Sequence, residues 1–317
     1  MKVIKDLSIE IPGTNVHYFN LDEFSNDSDT ESVLAYGYGL LERPNERVLD
    51  KIKTYTRKVY LNVTMPTEFA SPAPTLQDKD FDQVYGICPY TVDWLNTITN
   101  SNKYKFIFYP FNKNDIPQRS EKKYDVCYFG GLHSYAYLEC LNIMKEFNYR
   151  YVTMTRRINK LTRNNLKQAT NTNLTNKGKL KLLSECKISI CYNTFPIRNY
   201  SDIDNIKRRD RWEENEAFKH IDSIMLAPQF KSRFNEAAMC RTLNLIQRDQ
   251  WNVVERFYVP GVDFVYFDSN EELEDQIRDI LNNWDDYQPV IESAYNKSMN
   301  YTTEKLFEII NTDKYEL

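Results

Sequence analysis

Apolar positions along this chain fall into short runs of two kinds. Lys58-Val-Tyr-Leu-Asn-Val63, Tyr104-Lys-Phe-Ile-Phe-Tyr109, Tyr124-Asp-Val-Cys-Tyr-Phe129 and Lys187-Ile-Ser-Ile-Cys-Tyr192 are dense in β-branched and aromatic residues. Such runs read as strands buried on both faces. Val16–Asn20, Ser32–Leu41 and Gln83–Ile87 read the same way. Between them, Asn45–Tyr55, Tyr90–Ile98, His133–Phe147, Lys177–Glu185 and Trp212–His220 carry their apolar residues at helical spacing. Alternating strands and helices predict an α/β architecture built on parallel sheets.

The alternation breaks at a polar stretch, Asn112–Lys123, which divides the chain into an N-terminal α/β domain, 1–118, and a second, 119–287. Residues 288–317 form a terminal segment in which Pro289 starts a helix at its first turn and Val290–Ile310 gives one or two helices. Within the second domain, Gly130-Gly131 ends a strand and precedes a helix, so that backbone N–H groups can approach a phosphate or sugar closely. His133 follows that turn and is a second group able to contact a phosphate or sugar. A polar excursion runs from Asn193 to Arg211.

Gln229–Leu281 carries the most specific chemistry. Gln229–Cys240 predicts a helix, in which Arg233 and Glu236 stand three apart and share a face. Leu243–Gln247 and Asp263–Phe267 follow as strands, and Ser269 with Glu272 makes a capping box for a helix ending near Leu281. At the mouth of a parallel sheet, a helix N-terminus holds phosphate, an arginine adds a planar cation, and a carboxylate accepts two ribose hydroxyls.

These residues resemble the C-terminal half of GT-B glycosyltransferases, particularly the spore-protein-like and group 1 families. The shared pattern is Arg-Phe-x-Glu (here Arg233-Phe-Asn-Glu236), small residues, an apolar strand, then Tyr-x-Asp/Ser-x-Glu-Glu-Leu. The resemblance implies two Rossmann-like domains facing a cleft, terminal helices crossing back to the first domain, and a UDP-sugar donor. It implies that Glu236 holds the ribose and that Arg233 and Gly130-Gly131 hold the diphosphate. Two departures stand out. Arg241 replaces the glycine that many relatives have after the small residues, and Pro228 stands eight before Glu236, where the retaining pattern has an acid. The layout is also similar to that of phage DNA β-glucosyltransferases, in which an acid follows the strand comparable to Lys58–Val63. Glu68, in the loop after that strand, is accordingly the expected catalytic base.

Composition narrows the setting. The chain has 317 residues, 41% of them hydrophobic, enough for two cores. A net charge of −4 excludes a generally basic nucleic-acid coat. Two local basic runs, Arg156, Arg157, Lys160, Arg163, Lys167 and Lys207, Arg208, Arg209, Arg211, keep DNA open as an acceptor. The six cysteines lack Cys-x-x-Cys spacing, the N-terminus lacks a signal-peptide core, and no run reaches membrane-spanning length. These features lead to the expectation of a cytoplasmic protein without a membrane partner. The Asn-, Lys- and Tyr-rich composition with only 8 Gly suggests an AT-rich genome, viral among the alternatives. His17, His133 and His220 show no metal-ligand spacing, and Asp202-Ile-Asp204 has its match by chance in Asp80-Phe-Asp82, so no metal or other cofactor is expected.

The expected activity is transfer of a sugar from a nucleotide sugar to an acceptor hydroxyl, either on a hydroxymethylated pyrimidine in DNA or on a glycan or protein. The alternative from another class is a non-catalytic module that binds a nucleotide or sugar.

Overall fold

A computed structural model of the chain describes residues 1–5, 25–26, 28–36, 46–62, 80–131, 135–153, 169–171, 174–197 and 200–314. They form two compact units. The first begins with β1 (Lys2–Lys5), β2 (Ser32–Tyr36), α1 (Glu46–Lys53), β3 (Arg57–Asn62), β4 (Gln83–Gly86), α2 (Pro89–Thr99) and β5 (Tyr104–Phe106). Its strands pair in that order, all parallel. Val33, Leu34, Ala35, Val59, Tyr60 and Leu61 are all without exposed surface, as strands covered on both faces require.

The second unit opens with β6 (Tyr124–Phe129), α3 (Tyr135–Met144), β7 (Tyr149–Thr153), β8 (Ala169–Asn171), α4 (Asn176–Ser184) and β9 (Cys186–Cys191). After Asn193 the chain passes into the first unit, where it forms β10 (Thr194–Pro196), α5 (Tyr200–Lys207), α6 (Ile221–Ile224) and β11 (Leu226–Pro228). It returns at Lys231 for α7 (Ser232–Met239), β12 (Leu243–Gln247), β13 (Val265–Phe267), α8 (Asn270–Asn282), α9 (Gln288–Ser298) and α10 (Thr303–Thr312). Among the described residues the second sheet has the order β13-β12-β9-β6-β7-β8, every pair parallel. Numbered by appearance within the unit this is 6-5-4-1-2-3, the doubly wound order. Its core gathers Val126, Tyr128, Leu141, Ile188, Leu245 and Ile277.

The compact units divide the chain differently from the boundary read off the polar stretch. Thr194–Phe230 belongs to the first unit. Its Phe195, Ile197, Ile203, Ile206 and Phe218 pack in one cluster with Cys88, and the Trp94 indole N–H donates to the Arg211 carbonyl at 2.8 Å. The helix expected over Trp212–His220 is instead a single 3₁₀ turn, Trp212–Glu214, followed by α6. Buried Asn215 turns its own backbone there, accepting the Ala217 N–H at 3.0 Å. The terminal helices lie in the second unit. Ser293 and Lys297 of α9 bind the buried Asp263 carboxylate at 2.6 and 3.1 Å, and the N–H of Thr303 donates to the Phe111 carbonyl at 2.9 Å.

Elsewhere the expected elements appear with trimmed ends. The helix read over Gln229–Cys240 begins at Ser232, because Leu226–Pro228 is already paired antiparallel with Thr194–Pro196. Ser269 caps the Glu272 N–H at 3.4 Å, and the Glu272 carboxylate reaches back to the Asp268 N–H at 3.2 Å. Lys122, from the polar boundary stretch, donates to the carbonyls of Ser184, Cys186 and Arg241 at 2.9, 2.7 and 2.7 Å. It thereby satisfies carbonyls near the ends of α4 and α7. Val16–Asn20 lies outside the described residues.

Candidate functional site

In a doubly wound sheet the ligand crevice opens outside the carboxyl ends of the two strands where the order reverses. Those strands are β6 and β9, which pair with each other. The first ends in Gly130-Gly131 and the second runs into Asn193. α7, with Arg233 and Glu236, is the next element after the chain re-enters this unit.

Gly130 has φ +149°, a conformation that side-chain-bearing residues rarely adopt, and a Cβ placed there would lie 2.5 Å from Arg233 Nη2 and 2.7 Å from its Cζ and Nη1. The guanidinium therefore rests directly on the glycine backbone. Arg233 Nη1 donates to the Tyr128 hydroxyl at 3.4 Å, and that hydroxyl donates to the Gly131 carbonyl at 3.2 Å. The Tyr128 ring also lies 5.5 Å below the guanidinium. One phenol on β6 thus ties the glycine turn to the arginine of α7.

Glu236, one turn further along, is 7% exposed and takes Lys179 of α4 at 2.8 Å. The commoner fate of an Arg-x-x-Glu pair, a surface ion pair within one helix, is not what occurs: Glu236 is buried and bound to a different element. α4 is itself held by Thr175, whose hydroxyl accepts the Gly178 N–H at 3.1 Å. Lys231, the N-cap residue of α7, gives its N–H to Asn193 Oδ1 at 3.2 Å. Burial, reinforced by Arg233, lowers its ammonium to about 7. Burial likewise pushes the Cys191 thiol up to about 11.

The structure therefore brings together Gly130, Gly131 and Arg233, with Glu236 on the same helix. Glu68 and His133 lie outside the described residues, as do Arg156, Arg157, Lys160, Arg163 and Lys167. In the other basic run, Lys207 is paired with Asp222 at 2.7 Å and Arg211 with Glu214 at 2.6 Å. Among the described residues no group of three or more His, Cys, Asp or Glu side chains could hold a metal ion, and no helix is long and apolar enough to cross a membrane. Sequence reasoning missed Tyr128, Lys179, Lys231 and Asn193. Lys231 carried a usable signal, a lysine two before Arg233 at a helix start. Tyr128 and Lys179 carried none, since each acts through a partner more than fifty positions away.

A sequence profile described as glycosyl transferase-like matches residues 163–306. No curated protein matches the chain. Among solved structures, Anabaena HepE in complex with UDP and glucose superposes with a TM-score of 0.56 at 10% identity, covering 88% of this chain and 78% of that one. Sucrose-phosphate synthase from Thermosynechococcus elongatus gives 0.54 at 9%, covering 89% and 74%. TarM gives 0.53 at 11%, covering 93% of this chain and 57% of its own. With the doubly wound second sheet, this chain has the fold of these GT-B structures, and its residues 163–306 match the glycosyl transferase-like profile.

Proposed function

We propose that this protein transfers a sugar from a nucleotide-sugar donor, a UDP-sugar, to an acceptor hydroxyl, without a metal ion or other cofactor. The observation that carries the reading is Arg233 lying on Gly130 at the switch point of the second sheet, with buried Glu236 one turn away. Arg233, the Gly130-Gly131 backbone and the N-terminus of α7 would take the diphosphate; Glu236 would accept the ribose hydroxyls while Lys179 holds one carboxylate oxygen. In the transfer, the acceptor oxygen bonds to the anomeric carbon. The bond from that carbon to the diphosphate breaks, its electron pair stays on the diphosphate oxygen, and the acceptor proton goes to a base, for which Glu68 is the candidate. The UDP bound to HepE supports uridine as the nucleotide.

The acceptor is a hydroxyl on a glycan, a protein or a hydroxymethylated DNA pyrimidine. Acid partners on Lys207 and Arg211 weigh against that run as the DNA grip. Pro228, in place of the acid of the retaining pattern, favours one rival: binding of the same donor without transfer.

A thermal-shift panel of UDP, GDP, ADP and their sugar conjugates tests the donor site. A ligand at about 100 times its dissociation constant stabilises by roughly 2.7 kcal/mol, a shift of several degrees. Stabilisation by the uridine compounds that disappears in Glu236→Ala is expected, and no shift with any nucleotide overturns the reading. Donor turnover abolished in Glu68→Ala supports transfer with that base. Donor binding with no turnover on any acceptor establishes the rival.

A further inference from the structure

The Asn193 carboxamide is used at one end only. Two donors point at its Oδ1, the Lys231 N–H at 3.2 Å and the Cys191 thiol at 3.9 Å. A backbone N–H cannot face an amide nitrogen, so these neighbours fix which end is oxygen and which is nitrogen. The other end, Nδ2, is buried and has no hydrogen-bond partner among the described residues, and the residue as a whole is 1% exposed. Buried amide donors are nearly always paired, so a leftover one calls for a physical reason.

Its place in the fold supplies one. Asn193 follows β9, one of the two strands at which the order of the second sheet reverses, and the bond from Lys231 sets its carboxamide against the N-terminus of α7. There the Phe234 N–H turns back to the Lys231 carbonyl at 3.1 Å, while the N–H of Ser232, the first helical residue, has no acceptor within the helix. Backbone N–H and an unpaired amide donor thus meet at the positive end of a helix. A group that carries negative charge and only accepts hydrogen bonds suits both. Phosphate oxygens meet that description, whereas a sugar hydroxyl brings a donor of its own. Neither the Lys231 ammonium nor the Arg233 guanidinium enters this complementarity.

Resting on the nucleotide-sugar reading, we propose that Asn193 is a phosphate-binding residue of the donor site: Nδ2 donates to an oxygen of the diphosphate while Oδ1 keeps its bond to the Lys231 N–H. Because Nδ2 is shut off from bulk water, that oxygen displaces a covering atom as the nucleotide seats. One planar group then joins ligand and helix, so the diphosphate and the N-terminus of α7 are held in a fixed relation.

Asn193→Asp separates the two ends of the side chain. A carboxylate still accepts the Lys231 N–H and suits a helix N-terminus, but in place of Nδ2 it puts an oxygen that repels phosphate. Calorimetric titration should show the variant binding UDP about 100-fold more weakly than wild type, with uridine binding unchanged. In wild type, the side-chain N–H pair of Asn193, followed by NMR, should move downfield with UDP and stay in place with uridine. That measurement needs no variant, and it separates a bond to phosphate from repulsion by a nearby charge. Unchanged UDP affinity in Asn193→Asp, equal weakening of UDP and uridine, or an Asn193 N–H pair that UDP does not move overturns the role of Asn193 and leaves the donor site intact. Failure of wild type to bind UDP at all overturns the donor reading and this inference with it.

Discussion

Gly130 is the residue on which the candidate site turns, for two separate reasons. Its φ of +149° is strained for any side chain, and its missing Cβ is the space that the Arg233 guanidinium fills. Gly130→Ala must therefore strain the turn and shift the Arg233 guanidinium off the backbone. We expect it to cost about 1–3 kcal/mol of stability and to abolish UDP stabilisation in a thermal melt. Retained UDP binding would mean that Arg233 does not hold the diphosphate from its present place. Arg233 and Glu236 were legible as a pair because helix geometry alone sets residues three apart on one face. Their partners were not, since Tyr128 and Lys179 reach them from separate elements.

At the scale of elements, α7 ends in a turn that explains one departure from the family pattern. The Thr242 N–H bonds to the Ala237 carbonyl at 2.9 Å and the Arg241 N–H to the Ala238 carbonyl at 3.0 Å, with Arg241 at φ +52°. This is the Schellman arrangement, in which glycine is the usual residue at the left-handed position. Arg241 occupies it at a cost of roughly 1 kcal/mol. Offsetting that cost, its Nε lies 3.1 Å from Glu292 of α9 and its guanidinium stacks 3.3 Å from the Tyr295 ring centre. Arg241→Ala keeps the strain and loses both contacts, whereas Arg241→Gly loses the contacts and relieves the strain. Chemical denaturation should thus rank wild type first, Gly next and Ala last. Ala as stable as Gly would show that the left-handed turn carries no cost here.

For the whole molecule, the informative feature is that the chain leaves the second unit after β9 and returns immediately before α7. The glycosyl transferase-like match from 163 to 306 includes this excursion, although Thr194–Phe230 is part of the first unit's core. Phe218 is fully buried there, edge-on to Trp94 at 6.5 Å. Phe218→Ala should cost about 3–5 kcal/mol in the stability of the first unit. Hydrogen exchange should locate the loss in Thr194–Phe230 and around Trp94 and leave the β6–β9 core protected. Uniform loss of protection through both units would show instead that they unfold as one.

The sequence by itself determined the elements and the chemistry nearest in the chain. Dense apolar runs, period-3.6 patterns, cap residues and the glycine turn act over a few residues, so β6, β9, α7, α8 and the Arg233–Glu236 face followed from local rules. The fold class followed too, because alternating strands and helices leave few arrangements other than parallel sheets. Only the tertiary structure decided which sheet each apolar run would join. Phe195, Ile203 and Phe218 are as hydrophobic as the residues of the second core, and hydrophobicity is non-directional, so nothing local marks them for the first. The same holds for the site. Gly130 meeting Arg233, Tyr128 bridging them, Lys179 on Glu236 and Asn193 on Lys231 depend on strand order, which is set by packing across the whole sheet.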